Sequence, residues 1–201
     1  MTMISSYRLG DLVLLELGEN EQNELLSDYP YSIGGKYILR KRNRDTRDNI
    51  DIVTEIALGH LKQHEHLLPK DIADSTVIHL RLGDVIAGNE WHERLKRPIS
   101  KHDIKALIGD DMNKKYVIGK CFFAKTSSTN YQDCVTYSNI YLQNVLTELG
   151  AQHFDSGNAD IDLCCALKAK VFLQGRGFFS KLIVEIRKRL NLHTIETSVH
   201  D

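Results

Sequence analysis

The sequence predicts an α/β fold in which a parallel sheet is covered by helices on both faces. Three observations carry that expectation. Short apolar runs, such as Thr76–Leu82 and Tyr116–Phe123, alternate with longer segments of helical period over the second part of the chain. The connections between them are short, as βα units prefer. No repeat or low-complexity tract interrupts the series. Alternating strands and helices form parallel sheets buried on both sides, and the ligands of such sheets bind at the C-terminal ends of the strands.

The elements follow in order. An apolar run, Leu12–Leu17, comes first, and the turn-rich stretch Tyr29–Gly35 leads to a short strand at Tyr37–Leu39. Arg40, Lys41, Arg42, Arg44 and Arg47 form a basic run that reads as a solvated loop, with a phosphate or acceptor contact as the sharper alternative. Ile52, Ile56, Ala57 and Leu61 recur at helical spacing after Asp48 and predict a helix of about four turns. The chain divides near Pro69 into a small N-terminal extension, residues 1–70, and a main domain, residues 71–201. That domain begins with the buried strand Thr76–Leu82 and a short helix, Lys101–Ile108. The strand Tyr116–Phe123 and a long helix, Gln132–Leu149, come next. Val135, Ile140, Tyr141, Val145, Leu146 and Leu149 supply the helix's apolar stripe, and Gly150 its left-handed stop. Then come a strand at Gln152–Phe154, a helix at Asp160–Ala169 and a strand at Lys170–Leu173. A tight Gly175-Arg176-Gly177 loop and a last helix, Phe179–Leu190, complete the series.

Composition narrows the function. With 42% apolar residues among 201, the chain can bury a core, which excludes disorder as its main character. Its 26 basic residues against 27 acidic ones lack the excess of a general nucleic-acid binder. No apolar run reaches the roughly 18 residues of a membrane span, and Met1–Gly10 is too polar for a secretory core. A soluble, cytoplasmic protein is expected. Cys121, Cys134, Cys164 and Cys165 form no CxxC or zinc-spaced set and read as buried, reduced thiols. His60, His64 and His66 crowd a helix end with no Cys or carboxylate pattern beside them, so no metal is expected there.

Two segments carry chemistry. In Val77-Ile78-His79-Leu80-Arg81-Leu82-Gly83-Asp84, alternation puts Ile78, Leu80 and Leu82 on one face, with Val77, His79 and Arg81 on the other. An arginine on a rigid strand end suits a phosphate or carboxylate. Gly83 lets the backbone pass close to a ligand, and Asp84 is placed to orient Arg81 or His79. A structural ion pair of Arg81 with Asp84 or Asp162 is the plainer alternative. The second segment joins Asp162 to the loop Gln174-Gly175-Arg176-Gly177-Phe178-Phe179-Ser180. Its N–H groups and the following helix N-terminus form an anion site, and Arg176 adds a cation. It is neither a dinucleotide fingerprint nor a Walker loop.

His79-x-Arg81-x-Gly83-Asp84 resembles the HxRRxD signature of the α1,2-/α1,6-/protein O-fucosyltransferase superfamily. The stretch from Asp162 to Phe179-Ser180 is similar, with the same interval, to that family's DxxLMSxCxxxIxxNSSFS segment. The resemblance covers roughly Ser75 to Arg189 and implies the Rossmann-like donor-binding half of a GT-B glycosyltransferase. It implies inverting, metal-independent transfer of L-fucose from GDP-fucose to a carbohydrate hydroxyl, with no cofactor beyond the donor. His79 and Gly83 belong to the donor motif, and Arg81 would bind the β-phosphate. Asp162 would recognise the base or shape its pocket. Gly175, Arg176, Phe179 and Ser180 would hold the diphosphate. The family carries an acid at the position of Asn89, so Glu90, one step on, is a candidate general base, with Asp84 the other.

The departures are also specific. Leu82 replaces the family's second arginine, and Arg176 is the residue that would restore the charge. The family's acidic pair after the middle strand gives way to Lys125-Thr126-Ser127-Ser128-Thr129-Asn130, a loop suited to a ribose or phosphate, or simply to capping the next helix. The stretch before His79 is short for an acceptor domain. A reduced enzyme, or a cleft completed by a second subunit or a larger acceptor, is therefore expected. Another nucleotide sugar, or a non-catalytic nucleotide-binding or scaffold domain, remains the alternative.

Overall fold

Five parallel strands in the order β5-β3-β1-β6-β7 form the sheet of the computed structural model, which describes residues 49–83, 85–86, 98–109, 111–122 and 131–197. β1 (Thr76–His79) lies at the centre, fully buried, between β3 (Lys115–Ile118) and β6 (Val171–Leu173). β5 (Gln152–His153) and β7 (Thr194–Ile195) are the edges. The edge strand β7 was not expected from the sequence. Its two residues are too few to show a period, and only pairing with β6 defines it.

The strands expected over Thr76–Leu82 and Tyr116–Phe123 are each broken. β2 (Leu82–Gly83) and β4 (Cys121–Phe122) pair separately from β1 and β3. The register is nevertheless preserved: His79 pairs with Ile118 before the break and Leu82 with Cys121 after it. Gly119 permits the break. A Cβ there would stand 2.2 Å from the Leu80 carbonyl oxygen, so only glycine lets the two backbones approach.

The helices α1 (Asn49–His64), α4 (Ala159–Lys168) and α5 (Phe178–Arg189) cover one face. Ala57, Leu163, Leu167, Leu182 and Ile186 bury against Val77, Tyr116, Ile118 and Phe172 there. α2 (Lys101–Ile108) and α3 (Tyr131–Leu149) cover the other, with Ile104, Ile108, Leu142 and Val145 against Ile78, Leu80, Leu82 and Val117. Complete burial of each Val, Leu, Ile or Phe side chain among them is worth about 1.5–3 kcal/mol. Ser100 caps α2 by accepting the Asp103 N–H at 3.0 Å, and Asn158 caps α4 by accepting the Asp160 N–H at 2.8 Å. Gly150, at φ 59°, stops α3. The α3 stripe differs from expectation at Ile140, which is 49% exposed. It lies two positions from buried Leu142, about 200° around the helix.

Arg187 is the largest fully buried side chain among the described residues. Its guanidinium donates to the carbonyls of Ala166 (2.5 Å), Ala169 (3.0 Å) and His193 (2.6 Å), tying the end of α4 to the approach to β7. Burial pushes its pKa down to about 10. All four cysteines are buried.

Candidate functional site

The chain reverses direction across the sheet between β1 and β6. β1 leads towards β3 on one side and β6 towards β7 on the other, and a crevice opens between such diverging connections at the strands' C-terminal ends. His79 ends β1 and Gly175 follows β6. A Cβ on Gly175 would lie 2.2 Å from the His79 carbonyl oxygen and 2.4 Å from its Nδ1. The Gly175 N–H donates to the buried Ser180 Oγ at 2.7 Å, which ties the loop to the first turn of α5. Gly177, at φ 92°, is the N-cap of α5 and offers no side-chain cap. A Cβ there would stand 3.1 Å from Arg81 Nη1, so the guanidinium lies against the loop. Arg176 is half-buried between the two glycines, and its Nε has no hydrogen-bond partner among the described residues.

The imidazole of His79 is 4% exposed and meets the Phe179 ring edge-on at 5.3 Å. Burial, helped by the positive charge of Arg81, lowers its pKa to about 3, so the ring is neutral at neutral pH. Its Nδ1 has no hydrogen-bond partner among the described residues. A guanidinium beside the first turn of a helix without a side-chain cap is an arrangement that can take an anion, and the neutral ring beside it adds no charge.

Asp162 lies in the first turn of α4 with no exposed surface. Its Oδ1 accepts from Ser156 Oγ at 2.7 Å, while Oδ2 has no partner among the described residues. Burial raises its pKa to about 7, against the pull of nearby Lys120. Lys120, with its side chain 1% exposed, pairs with Asp155 at 2.5 Å.

The structure thus brings His79, Arg81, Gly175, Arg176, Phe179 and Ser180 to one sheet edge, with Asp162 at the start of α4. Gly83 adopts φ 86°, and its N–H donates to Ser138 Oγ of α3 at 2.9 Å. Leu82 is fully buried among the residues facing α2 and α3, on the side away from His79. The candidate bases Asp84 and Glu90 lie outside the described residues, as do the loop 123–130, the basic run 40–47 and the expected elements before residue 49. Sequence reasoning missed Lys120, Asp155, Ser156 and Ser138. For Lys120 the available signal was a lysine straight after a glycine at a strand end. For the 155–158 turn it was Asp-Ser-Gly-Asn ahead of a helix. Ser138 carries none, because it looks like any serine on a long helix.

The His60 and His64 rings are tilted by 32° with centroids 4.1 Å apart, and the His64 Nδ1 bonds the His60 carbonyl. Among the described residues, no three His, Cys, Asp or Glu side chains are grouped to hold a metal ion, and no helix is long and apolar enough to cross a membrane.

No family model matches the sequence, and no curated protein matches it. Among solved structures, the chain is similar to POFUT1 crystallised in complex with GDP, at 11% identity and a TM-score of 0.42. The match covers 77% of this chain and 51% of that one, so the chain spans about half the length of the structure it resembles. The α/β architecture itself rests on the parallel sheet and its two helical layers.

Proposed function

We propose that the chain binds a nucleotide sugar and acts as the donor-binding half of an inverting, metal-independent glycosyltransferase in the cytoplasm. In this reading the donor is GDP-fucose and the acceptor a carbohydrate hydroxyl. A second copy or a larger acceptor supplies the other wall of the cleft. The observation that carries the reading is the meeting of Arg81 with Gly177 and of His79 with Gly175, which joins the two motifs into one anion site. Arg81 and the first-turn N–H groups of α5 hold the diphosphate and stabilise the charge it gains on leaving. Asp162 reads the base. Asp84 or Glu90 takes the acceptor proton as the hydroxyl attacks the anomeric carbon and the bond to the diphosphate breaks.

A non-catalytic nucleotide-binding domain is the second reading. Leu82 favours it, because its burial in the opposite core leaves the site without the second arginine of the family motif.

A thermal-shift panel of GDP, UDP, dTDP, CMP, NAD, GDP-fucose and GDP-mannose, followed by a donor-turnover assay, tests both. The transferase reading expects GDP and GDP-fucose to stabilise the protein. It also expects Arg81→Ala to abolish that shift and lower turnover at least about a hundredfold, with the protein still folded. Nucleotide held without sugar release supports the second reading. No shift with any nucleotide removes both.

A further inference from the structure

Lys120 is a cation held almost out of solvent at the C-terminal edge of the sheet, in a position no motif predicts. Its side chain is 1% exposed, whereas its partner Asp155 is 28% exposed. A buried ammonium is retained only where a carboxylate compensates it. Asp155 Oδ1, which accepts from Lys120, also accepts the Gly157 N–H at 3.2 Å. Beside it, the Ser156 hydroxyl lies 2.6 Å from the Asn158 carbonyl and 2.7 Å from Asp162 Oδ1. The Asn158 N–H donates back to Ser156 Oγ at 3.1 Å, and the Asn158 side chain caps α4. The 155–158 turn is therefore anchored to β3 through Lys120 and to α4 through Asn158. Its serine rests on one oxygen of a fully buried carboxylate whose other oxygen has no partner among the described residues.

Resting on the nucleotide-binding reading above, we propose that Lys120 is a positioning residue of that site. Its ion pair with Asp155 pins the 155–158 turn, so that Ser156 holds Asp162 Oδ1 and Oδ2 is left for the N–H donors of a nucleobase. The charged and titratable groups acting on Asp162 are Lys120 from the end of β3, Asp155 from the turn after β5 and the Cys165 thiol of its own helix. Lys120 favours the ionised carboxylate and Asp155 opposes it. Acting as charges alone, loss of Lys120 and loss of Asp155 would move the Asp162 titration in opposite directions; acting as a pin, loss of either releases Ser156 and moves it the same way.

The test uses the full chain with ¹³C-labelled aspartate, the Asp162 carboxyl resonance being assigned with Asp162→Asn. Lys120→Met should raise the titration midpoint, and Asp155→Asn should raise it too, because the Ser156 hydrogen bond lost with the pin outweighs the Asp155 charge removed. Ser156→Ala, which leaves the ion pair intact, should also raise it. In calorimetry at a pH where wild-type Asp162 is ionised, Lys120→Met and Ser156→Ala should weaken GDP about tenfold. Inorganic diphosphate, held at the Arg81 end, should bind as before. A midpoint that falls in Asp155→Asn, the outcome of charge alone, overturns the proposal, as do midpoints that stay put in Lys120→Met or Ser156→Ala and an equal loss of GDP and diphosphate. A wild-type chain that binds neither ligand removes the nucleotide reading and the base-reading half of the proposal with it. The carboxyl titration decides the positioning role separately.

Discussion

His79 and Gly175 close on each other across the β1–β6 pair, leaving no room for even a methyl group: a Cβ on Gly175 would stand 2.2 Å from the His79 carbonyl oxygen and 2.4 Å from its Nδ1. The obstructing atoms include backbone, which cannot rotate away as a flexible side chain can. Gly175→Ala must therefore part the end of β1 from the loop that carries Gly177 and Arg176. Overpacking of this kind costs about 1–3 kcal/mol. The expected result is a stability loss of that order in urea denaturation, together with loss of any nucleotide-induced thermal shift. Full stability with an unchanged shift would show that the contact is dispensable.

Ser138 offers a milder perturbation of the same motif from the opposite face. Its hydroxyl accepts the Gly83 N–H at 2.9 Å, both groups are buried, and it also bonds the Cys121 thiol. Ser138→Ala leaves the Gly83 N–H without that acceptor just beyond Arg81, at a cost of about 1–3 kcal/mol. Donor turnover should fall while thermal stabilisation by GDP largely persists, and Ser138→Thr should recover part of the loss. Turnover equal to wild type in Ser138→Ala would detach this serine from the site.

Arg187 separates fold from function. It lies far along α5 from Gly177 and bonds carbonyls at the end of α4 and before β7, and among the described residues none of its hydrogen bonds reaches the candidate site. Arg187→Met strands those buried acceptors, and a loss of about 3 kcal/mol follows, read as a Tm fall of about 10 °C. Arg187→Lys should recover little, because one ammonium cannot reach carbonyls spread around a planar fork. Nucleotide affinity per folded molecule should be unchanged in both variants. A selective loss of affinity would show coupling between the two ends of α5.

Most of this architecture could be read from the residues, because helices and strands with one buried face advertise their period. Lys101–Ile108 was legible to the residue, since Ser100 caps it and Ile104 and Ile108 share its buried face. The close approach of the 175–177 loop to the end of β1 was legible because glycines mark where backbones approach. What escaped depends on contacts between distant segments. The break between β1 and β2 follows from Gly119 meeting Leu80, a partner 39 positions away that no local pattern shows. Lys120, Asp155 and Ser156 matter only because β3, β5 and α4 converge, and each is unremarkable in its own stretch of sequence. Leu82 was recognised as a departure, but its burial on the face opposite His79 emerges only from the packing of α2 and α3.

His79 and Asp162 should tilt stability in opposite directions as pH falls. Asp162 titrates at about 7 in the folded protein against 3.8 for an ordinary aspartate. Between those values the folded state holds the extra proton, so stability from this group rises as pH falls towards 4. His79 titrates at about 3 when folded against 6.5 ordinarily. Below 6.5 it is the unfolded chain that takes the proton, so stability from His79 falls as pH drops towards 3. Over the shared window the two slopes oppose each other and the wild-type profile should be flatter than either. Asp162→Asn should expose the histidine slope, with stability declining on acidification from about 6.5. His79→Gln should expose the aspartate slope, with stability rising over the same range. Chemical denaturation at a series of pH values shows these slopes directly, and the difference between variant and wild type isolates the deleted group, because Asp71, Asp111 and Glu148, whose partners hold their pKa values low in every version, cancel: the Asp162→Asn difference should decline on acidification below about 7, and the His79→Gln difference should rise below 6.5. Difference curves without slope would show that neither group is buried as the structure has it, and slopes of the same sign would overturn the opposition between them.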